Sequence, residues 1–201
     1  RYISVTGVQT CALPICLWTS RVTSHVALKH VSDLITSRKV FDSIEMIEQA
    51  LKASGITSPR LAVCGLNPHN GDNGNYGDEE GKIIAPGIEM ARKAGIDVEG
   101  PFPSDTAFVR ALRPDHGYDG VVTMYHDQGQ IAMKLLGFEK GVTVHGGLPI
   151  PICTPAHGTA YDIAGKNMAQ PQAMCNAFML ACRMGMHHQQ KQQSAASAAK
   201  A

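Results

Sequence analysis

The sequence predicts an α/β protein in which helices cover a central sheet. Short apolar runs typical of buried strands occur at residues 61–64, 120–125 and 141–144, and they alternate with segments that have the apolar spacing of helices. This alternation is the pattern of an α/β fold. The chain has 201 residues, 44% hydrophobic and 17% charged. That composition suits one globular domain or part of a larger protein and excludes a disordered regulator.

The first helix is predicted over residues 38–53, followed by the first strand. The apolar residues of the helix recur at three- and four-residue steps and therefore share one face: Val40, Ile44, Ile47 and Leu51. Gly55 follows where a helix would take a left-handed cap. Residues 61–64 form a short apolar run that ends in Gly65, which is typical of a buried strand.

An irregular surface loop is predicted over residues 67–77, because its many glycines are unfavourable in a helix. The acidic residues 78–80 suit the positive first turn of a second helix. This helix is predicted to run to about Ala94 and to stop at Gly95. Pro86 lies inside the span and opposes a regular helical start.

The second strand, residues 120–125, ends at His126 and Asp127, and a helix is predicted over residues 128–136. The order of strand, polar tip and helix therefore repeats along the chain. Polar residues at the end of a strand are common in ligand sites of α/β proteins.

A third strand is predicted at residues 141–144, before a proline-rich loop over residues 146–155. The last helix is predicted over residues 172–185, with its apolar residues on one face. The tail from Gln189 has no apolar periodicity and too little hydrophobicity to offset the entropy of ordering, so we expect it to be disordered.

Charge and composition restrict the partners. Eighteen basic residues against 17 acidic ones leave a formal charge of +1, which excludes nucleic-acid or membrane binding by bulk electrostatics. No run reaches the roughly 18 apolar residues that span a bilayer. The six cysteines form no CxxC pair, which favours reduced thiols. We expect a cytoplasmic protein whose partners are recognised by local sites and not by net charge.

The N-terminal segment has an unusual composition. The run VTGVQTCALPI, residues 5–15, resembles the translation of a common DNA-sequencing adapter. We therefore expect residues 1–16 to be non-native, the natural protein to begin near Leu17 and an upstream part to be missing. The alternative is a genuine strand, because Val, Thr and Ile favour strands.

Three histidines are candidate metal ligands: His25, His69 and His126 lie in loops or at strand ends. Imidazole binds zinc and related divalent ions, and Asp105 or Asp127 could complete the shell or support it. The spacing does not force these side chains together. Three hydrogen-bonded loop histidines are therefore the alternative.

Two further features have both a functional and an ordinary interpretation. The glycine-rich loop at residues 65–77 could bind phosphate through its backbone amides, but it matches neither GxGxxG nor a P-loop, and a plain mobile loop is the alternative. Lys134 lies two helical turns after Asp127 and could neutralise a substrate anion or transfer a proton. An exposed lysine without a catalytic role is the alternative.

Six motifs in order carry a specific resemblance: TSHVALKHV, AVCGLNPHNGDNG, GPFPSDTAF, MYHDQGQIAMK, GLPIP and AHGTAYDIAGK. From about Arg21 to Gly185 they resemble the 4-hydroxythreonine-4-phosphate dehydrogenase family, NAD-dependent enzymes of pyridoxine biosynthesis. That family is related in fold to isocitrate and isopropylmalate dehydrogenases. The resemblance therefore implies an isocitrate/isopropylmalate dehydrogenase-like α/β/α fold and the C-terminal part of a two-domain subunit.

The resemblance also implies a homodimer with an active site between two domains. A divalent metal (Zn, Mg, Mn or Co) would be shared between the subunits. The family's metal ligands fall on His25, His69 and His126, and its active-site aspartates fall on Asp105 and Asp127.

The substrate and cofactor residues are implied in the same way. The family's substrate-binding lysine corresponds to Lys134, to which we also assign a catalytic role, and a second substrate position falls on Thr143. The segment HGTAYDIAGK resembles the cofactor loop of the β-decarboxylating dehydrogenases. The residues expected near the adenosine half of NAD are His157, Gly158, Thr159, Ala160 and Asp162. Residues 17–188 would thus carry the metal site, the dimer contacts and the cofactor loop.

Two departures point to a divergent branch of the family. Thr143 stands where the biosynthetic enzymes have an asparagine, and Ile152 where they have an arginine; both bind substrate there. The stretch GVTVHGGLPIPICTPAHGTA is closer to the branch that oxidises D-threonate or D-erythronate 4-phosphate. We expect a phosphorylated four-carbon hydroxy acid as substrate, with or without decarboxylation. The alternative is the cis-dihydrodiol of terephthalate, which some relatives oxidise.

Two rival functions remain open. The family's N-terminal region, with a His-Thr pair that contacts the substrate phosphate, has no counterpart in this sequence. That difference motivates the hypothesis of a non-catalytic, metal-binding fragment. A zinc hydrolase is a weaker alternative, because three histidines with nearby carboxylates also suit water activation.

Overall fold

The computed structural model describes residues 7–11, 17–115 and 117–198. Within these residues the strands form one sheet. The strands are β1 (Gly7–Cys11), β2 (Trp18–Arg21), β3 (Leu61–Cys64), β4 (Val98–Phe102), β5 (Gly120–Thr123), β6 (Gly141–His145) and β7 (Ile152–Pro155). Their order across the sheet is β4-β3-β5-β2-β1-β6-β7.

The sheet has a parallel half and an antiparallel half. Strands β4, β3, β5 and β2 are parallel neighbours, whereas β1, β6 and β7 pair antiparallel. The three predicted strands correspond to β3, β5 and β6, which confirms the α/β prediction. Strand β7 lies inside the predicted loop at residues 146–155. Because β7 is the edge strand, Pro155 can occupy it without breaking a ladder on both sides.

Strand β1 lies in the segment for which the sequence favours a non-native origin. Gly7–Cys11 pairs with β6 along its whole length and with part of β2. This conformation is the one that the alternative interpretation predicts. Backbone pairing requires only residues of high β propensity, so the adapter origin of residues 1–16 stays a prediction. Residues 1–6 and 12–16 lie outside the described residues.

The helices of the described residues are α1 (Val31–Leu34), α2 (Ser37–Ala53), α3 (Ala85–Lys93), α4 (Ser104–Ala111), α5 (His126–Gly137) and α6 (Gln172–Ala198). The predicted first helix is α2, and all four of its predicted inward residues are fully buried. Its N-terminus is capped by Thr36, whose Oγ1 accepts a hydrogen bond from the Lys39 N–H at 3.2 Å.

The predicted second helix has two parts. A π-helical segment, Glu80–Ile84, precedes α3. Pro86 falls in the first turn of α3, where a backbone N–H is not needed for a regular helix. Gly95 follows the helix with a φ of +84°, as expected of a left-handed terminator.

Helices cover both faces of the sheet. On one face α2, α3 and α6 contribute Ile44, Ile88 and Met184 to the larger core. On the other face α4 and α5 contribute Phe108 and Met133 to a smaller core. The resulting α/β/α layers place the start of α5, and with it His126, at one edge of the sheet.

The C-terminal helix is longer than predicted. The sequence predicts a helix to Gly185 and a disordered tail from Gln189, but α6 continues through Ala198 as an exposed helix. Ala, Gln and Lys have favourable helix propensities, and extending an existing helix avoids the cost of nucleation. Among the described residues, no helix is both long and apolar enough to cross a bilayer.

Candidate active site

The candidate metal ligands follow three parallel strands. Because β3, β5 and β2 are adjacent and parallel, their carboxyl ends lie at one edge of the sheet. His69 follows β3, His126 follows β5 and His25 follows β2. This edge is where open α/β sheets bind ligands.

His25 and His126 lie together at this edge. Their ring centroids are 5.5 Å apart, with the rings tilted by 42°. His126 Nδ1 lies 2.6 Å from Asp127 Oδ1. Because a carboxylate only accepts, Nδ1 donates and Nε2 is left as the ligand nitrogen, an arrangement common for metal-binding histidines. The donor chemistry of this pair fits a divalent cation.

A buried arginine lies beside His25. Arg21, the last residue of β2, is 8% exposed, and its Nε donates to Ser24 Oγ at 2.9 Å. Ser24 Oγ is also 3.3 Å from His25 Nδ1. Burial lowers the pKa of the Arg21 guanidinium. The site therefore contains a cation that sequence inspection does not single out.

Hydrogen bonds of the Gln128 side chain link the strand ends that surround the histidine pair. Its Oε1 accepts from the Met124 N–H at 2.8 Å, and its Nε2 donates to the Gly65 carbonyl at 3.1 Å and to Ser104 Oγ at 3.0 Å. Thr23 Oγ1 donates to the Met124 carbonyl at 2.8 Å. These bonds connect the carboxyl ends of β2, β3 and β5 with the start of α4, and they fix the start of α5.

His69 lies in a strained loop. Residues 69–73 all have positive φ, with His69 at +51°, a conformation unfavourable for non-glycine residues. The His69 ring is 6.1 Å from that of Tyr76, and the residue is exposed. Within the described residues no three His, Cys, Asp or Glu side chains are grouped to hold a metal. The structure thus brings two of the three predicted ligands together, and His69 does not join them within one chain.

A buried carboxylate supports the loop that carries His69. Glu80 is 5% exposed and accepts from the backbone N–H groups of Leu66 and Asn67, both at 2.7 Å. Glu79 accepts from Asn67 Nδ2 at 2.7 Å. The loop is therefore anchored by the helix that follows it, although four of its non-glycine residues have a strained backbone.

The other predicted polar residues lie on separate elements. Asp127 contacts His126, and Asp105 is exposed in the first turn of α4, next to Ser104. Lys134 is exposed on α5. Thr143 is partly buried in β6, opposite Thr154 of β7.

The predicted cofactor loop follows β7 and is exposed. His157 Nδ1 donates to the Gly158 carbonyl at 2.9 Å. Ala160 has a φ of +48°, and the turn Tyr161–Ile163 follows, with Asp162 in its centre. Gly158 and Thr159 are likewise solvent-exposed. The loop presents backbone and small side chains to solvent, which suits contact with a flat ligand.

Cys64, at the end of β3, is not a candidate nucleophile. Burial raises its pKa to about 12, although a hydrogen bond with Ser104 acts in the opposite direction. The thiol is therefore protonated at neutral pH and unreactive.

Sequence inspection missed Arg21, Ser104, Gln128 and Glu80 as individual residues. Gln128 and Ser104 stand inside the quoted motifs MYHDQGQIAMK and GPFPSDTAF, so their neighbours in the chain were a usable signal. The sequence around Arg21 and Glu80 gives no such signal, because an arginine at a strand end and a glutamate at a helix start are common. Only their burial distinguishes them.

Comparison with known sequences gives a consistent result. A family model described as pyridoxal phosphate biosynthetic protein PdxA matches residues 5–181. The chain is 59% identical to a Pseudomonas aeruginosa protein provisionally named 4-hydroxythreonine-4-phosphate dehydrogenase 2, over 85% of this chain and 51% of that protein. It is 46% identical to D-threonate 4-phosphate dehydrogenase of Pectobacterium atrosepticum, over 81% of this chain and 49% of that protein. The chain spans about half the length of the curated relatives it matches.

Solved structures agree. A 4-hydroxythreonine-4-phosphate dehydrogenase from Klebsiella pneumoniae matches with a TM-score of 0.76 and 37% identity, over 90% of this chain and 54% of that one. A terephthalate 1,2-cis-dihydrodiol dehydrogenase from Burkholderia xenovorans matches with a TM-score of 0.69 and 28% identity, over 88% and 54%. An isocitrate dehydrogenase from Methylococcus capsulatus matches with a TM-score of 0.56 and 16% identity, over 94% and 62%, which concerns the fold alone. The predicted dehydrogenase-like fold is confirmed.

Proposed function

Because the chain belongs to the family of the pyridoxal phosphate biosynthetic protein PdxA, we propose that it is part of a dehydrogenase acting on a phosphorylated four-carbon hydroxy acid. The substrate type is supported by relatives named for 4-hydroxythreonine 4-phosphate and D-threonate 4-phosphate. The observation that carries the proposal is the pairing of His25 and His126 at the carboxyl edge of the sheet.

The proposed metal site uses His25 and His126 from one chain. Since His69 does not join this pair within the chain, we propose a homodimer in which His69 of the partner subunit completes the site. A bound Zn, Mg, Mn or Co ion would supply Lewis acidity, which lowers the pKa of a substrate hydroxyl. Asp127 has the supporting role: its carboxylate holds the His126 ring with Nε2 available to a ligand.

The proposed cofactor is NAD, which supplies the hydride acceptor when bound. Residues 157–162 are proposed to contact its adenosine half. Their support is the motif and the exposed, partly left-handed backbone of the loop.

The remaining residues are proposed to handle the substrate. Lys134 would hold a substrate anion or move a proton, and Thr143 would contact the substrate from β6. Asp105 would act as a second carboxylate at the edge, beside the Ser104 and Gln128 network. Residues 17–188 would thus carry the metal, dimer and cofactor contacts. The enzyme is proposed to act in the cytoplasm.

The test is NADH formation with purified protein and a divalent metal. The chain spans about half of the Pseudomonas aeruginosa relative. It is therefore assayed alone and together with the N-terminal half of that relative. The substrates are D-threonate 4-phosphate and 4-hydroxythreonine 4-phosphate, and carbon dioxide release reports decarboxylation. We expect turnover that is lost with a chelator and in His126→Ala. Metal binding without turnover in either format would support the non-catalytic fragment, and activity without NAD would support a hydrolase.

A second candidate substrate is an aromatic cis-dihydrodiol. It is favoured by the structural match to the terephthalate 1,2-cis-dihydrodiol dehydrogenase. Faster NADH formation with terephthalate dihydrodiol than with either phosphorylated acid would establish this candidate.

A further inference from the structure

Arg21 is a buried cation without a carboxylate partner among the described residues. It is 8% exposed, yet none of the ion pairs of the described chain includes it. Residues 1–6, 12–16, 116 and 199–201, which lie outside the described residues, contain no Asp or Glu and so offer no acidic side chain either. Arginine is seldom buried without a counter-ion, because desolvation of the charge is unfavourable. The contacts within the folded chain therefore do not explain why a charged side chain is buried at this position.

The position of Arg21 suggests an explanation. It is the last residue of β2, at the same edge as His25 and His126. Its Nε is engaged by Ser24 Oγ at 2.9 Å, which fixes the plane of the guanidinium. Among the described residues this is its one side-chain hydrogen bond, so no described group accepts from the two Nη groups. A planar pair of N–H donors is the geometry that binds carboxylate or phosphate oxygens.

The two aspartates assigned to the candidate site do not pair with Arg21. Asp127 bonds to His126, and its side chain is 70% exposed. Asp105 is exposed on α4. Neither neutralises Arg21, so a negative charge at this point has to come from outside the described chain.

We propose that Arg21 binds an oxyanion of the substrate, a carboxylate or a phosphate, beside the histidine pair. The proposal rests on the proposed dehydrogenase function for the nature of the substrate. The proposal adds a subsite to that function. The histidines would face the hydroxyl end of the substrate, and Arg21 would select substrates that carry a negative group next to this hydroxyl.

The test is calorimetric titration of the 201-residue chain with two probes. D-threonate carries a carboxylate and no phosphate, whereas D-erythritol 4-phosphate carries a phosphate and no carboxylate. The variants are Arg21→Gln, Arg21→Lys and Arg38→Gln. Arg38 is the matched control, because it is exposed, pairs with Asp42 and lies outside the site.

We expect Arg21→Gln to lower the affinity for one of the two probes by about tenfold to about a hundredfold, because charge-assisted hydrogen bonds are lost. The affected probe identifies the oxyanion. The affinity of Arg21→Lys for that probe should lie between those of the unsubstituted chain and Arg21→Gln, because lysine keeps the charge and lacks the planar pair of N–H donors. Arg38→Gln should stay within about twofold of the unsubstituted chain. Equal binding by Arg21→Gln, or binding of neither probe to the unsubstituted chain, overturns the proposal.

Two further measurements separate the alternatives. Thermal unfolding of Arg21→Met without ligand should show an equal or higher midpoint, because an apolar side chain replaces a buried unpaired charge. A clearly lower midpoint would mean that Arg21 is structural and would overturn the proposal. The metal affinity of the unsubstituted chain is measured separately. If the chain binds an oxyanion through Arg21 but no metal, the metal part of the proposed function fails while this subsite stands.

Discussion

Glu80 and Asn67 are joined by two hydrogen bonds: Glu80 Oε1 accepts from the Asn67 backbone N–H at 2.7 Å, and Oε2 accepts from Asn67 Nδ2 at 3.0 Å. Leu66 donates a third bond to the same carboxylate. A buried acceptor from the helix thus holds the loop that presents His69. The loop depends on this contact because its four non-glycine residues between 69 and 73 have a strained backbone.

Replacing Glu80 by Gln should destabilise the protein by about 1–3 kcal/mol, because the amide accepts on one side only. Either the two backbone N–H groups or Asn67 Nδ2 then lose their acceptor. Urea unfolding measures the free energy of unfolding. Glu79→Gln is the matched control: Glu79 is only partly buried and accepts a single bond from Asn67. Equal losses in the two variants would contradict the special role of Glu80.

Two glycines of the same loop should differ in their tolerance of alanine. At Gly71, with φ of +79°, an added Cβ would lie 2.7 Å from the Gly77 carbonyl oxygen and 2.8 Å from Glu80 Oε2. At Gly74, with φ of +95°, it would meet nothing within 4 Å. Gly74→Ala should therefore cost only the left-handed backbone penalty of about 1–2 kcal/mol, and Gly71→Ala clearly more. Similar unfolding free energies for both variants would refute the close packing at Gly71.

Gln128→Ala should weaken both stability and metal binding. The substitution leaves the Met124 N–H and its other partners unpaired, which costs about 1–3 kcal/mol of unfolding free energy. It also frees the start of α5, so the affinity of the chain for cobalt should fall in a chelator competition. Gln190→Ala, on the exposed part of α6, is the control and should change neither quantity. A stable Gln128→Ala variant with unchanged metal affinity would rule out the proposed positioning role.

Tyr118 should make the stability of the protein depend on pH at the alkaline end. Burial and the hydrogen bond to Glu99 raise its pKa from 10.0 to about 12, and its hydroxyl donates to Glu99 Oε2 at 2.8 Å. A folded-state pKa above the unfolded one stabilises the fold at pH values below 10, and this contribution is lost as pH rises from 10 to about 12. Unfolding free energies of the unsubstituted chain and Tyr118→Phe should therefore converge over that interval. A constant difference would contradict the pKa shift.

The same contact acts at acidic pH through its acceptor. Bonding to Tyr118 and the charge of Arg60 lower the pKa of Glu99. A lowered pKa contributes stability above the unfolded value of 4.5, and the contribution fades as pH falls below it. The Glu99 side chain is 46% exposed, so solvent screening keeps this effect small.

Local pattern was sufficient for the main elements. The apolar period of α2 and the short apolar runs of β3 and β5 determine their own conformation and burial. Strands β2, β4 and β7 and the helical extension to Ala198 were not predicted, because strand pairing and growth of an existing helix are effects of the surroundings.

The contact of the two candidate histidines could not be predicted from the sequence. Spacing alone could not join His25 to His126, because their contact depends on the parallel pairing of β2 with β5. The roles of Arg21 and Glu80 depend on burial, which arises only when loops distant in sequence pack together.

The most direct test of the account is the affinity of the chain for cobalt or zinc, measured by competition with a chelator. The histidine pair predicts binding that falls by at least about a hundredfold in His25→Ala and in His126→Ala, since loss of a ligand should exceed the loss from a supporting residue. His187→Ala, on exposed α6, should bind like the unsubstituted chain. If His25→Ala and His126→Ala bind the metal as tightly as His187→Ala, the two imidazoles are not ligands and the proposed dehydrogenase site is wrong.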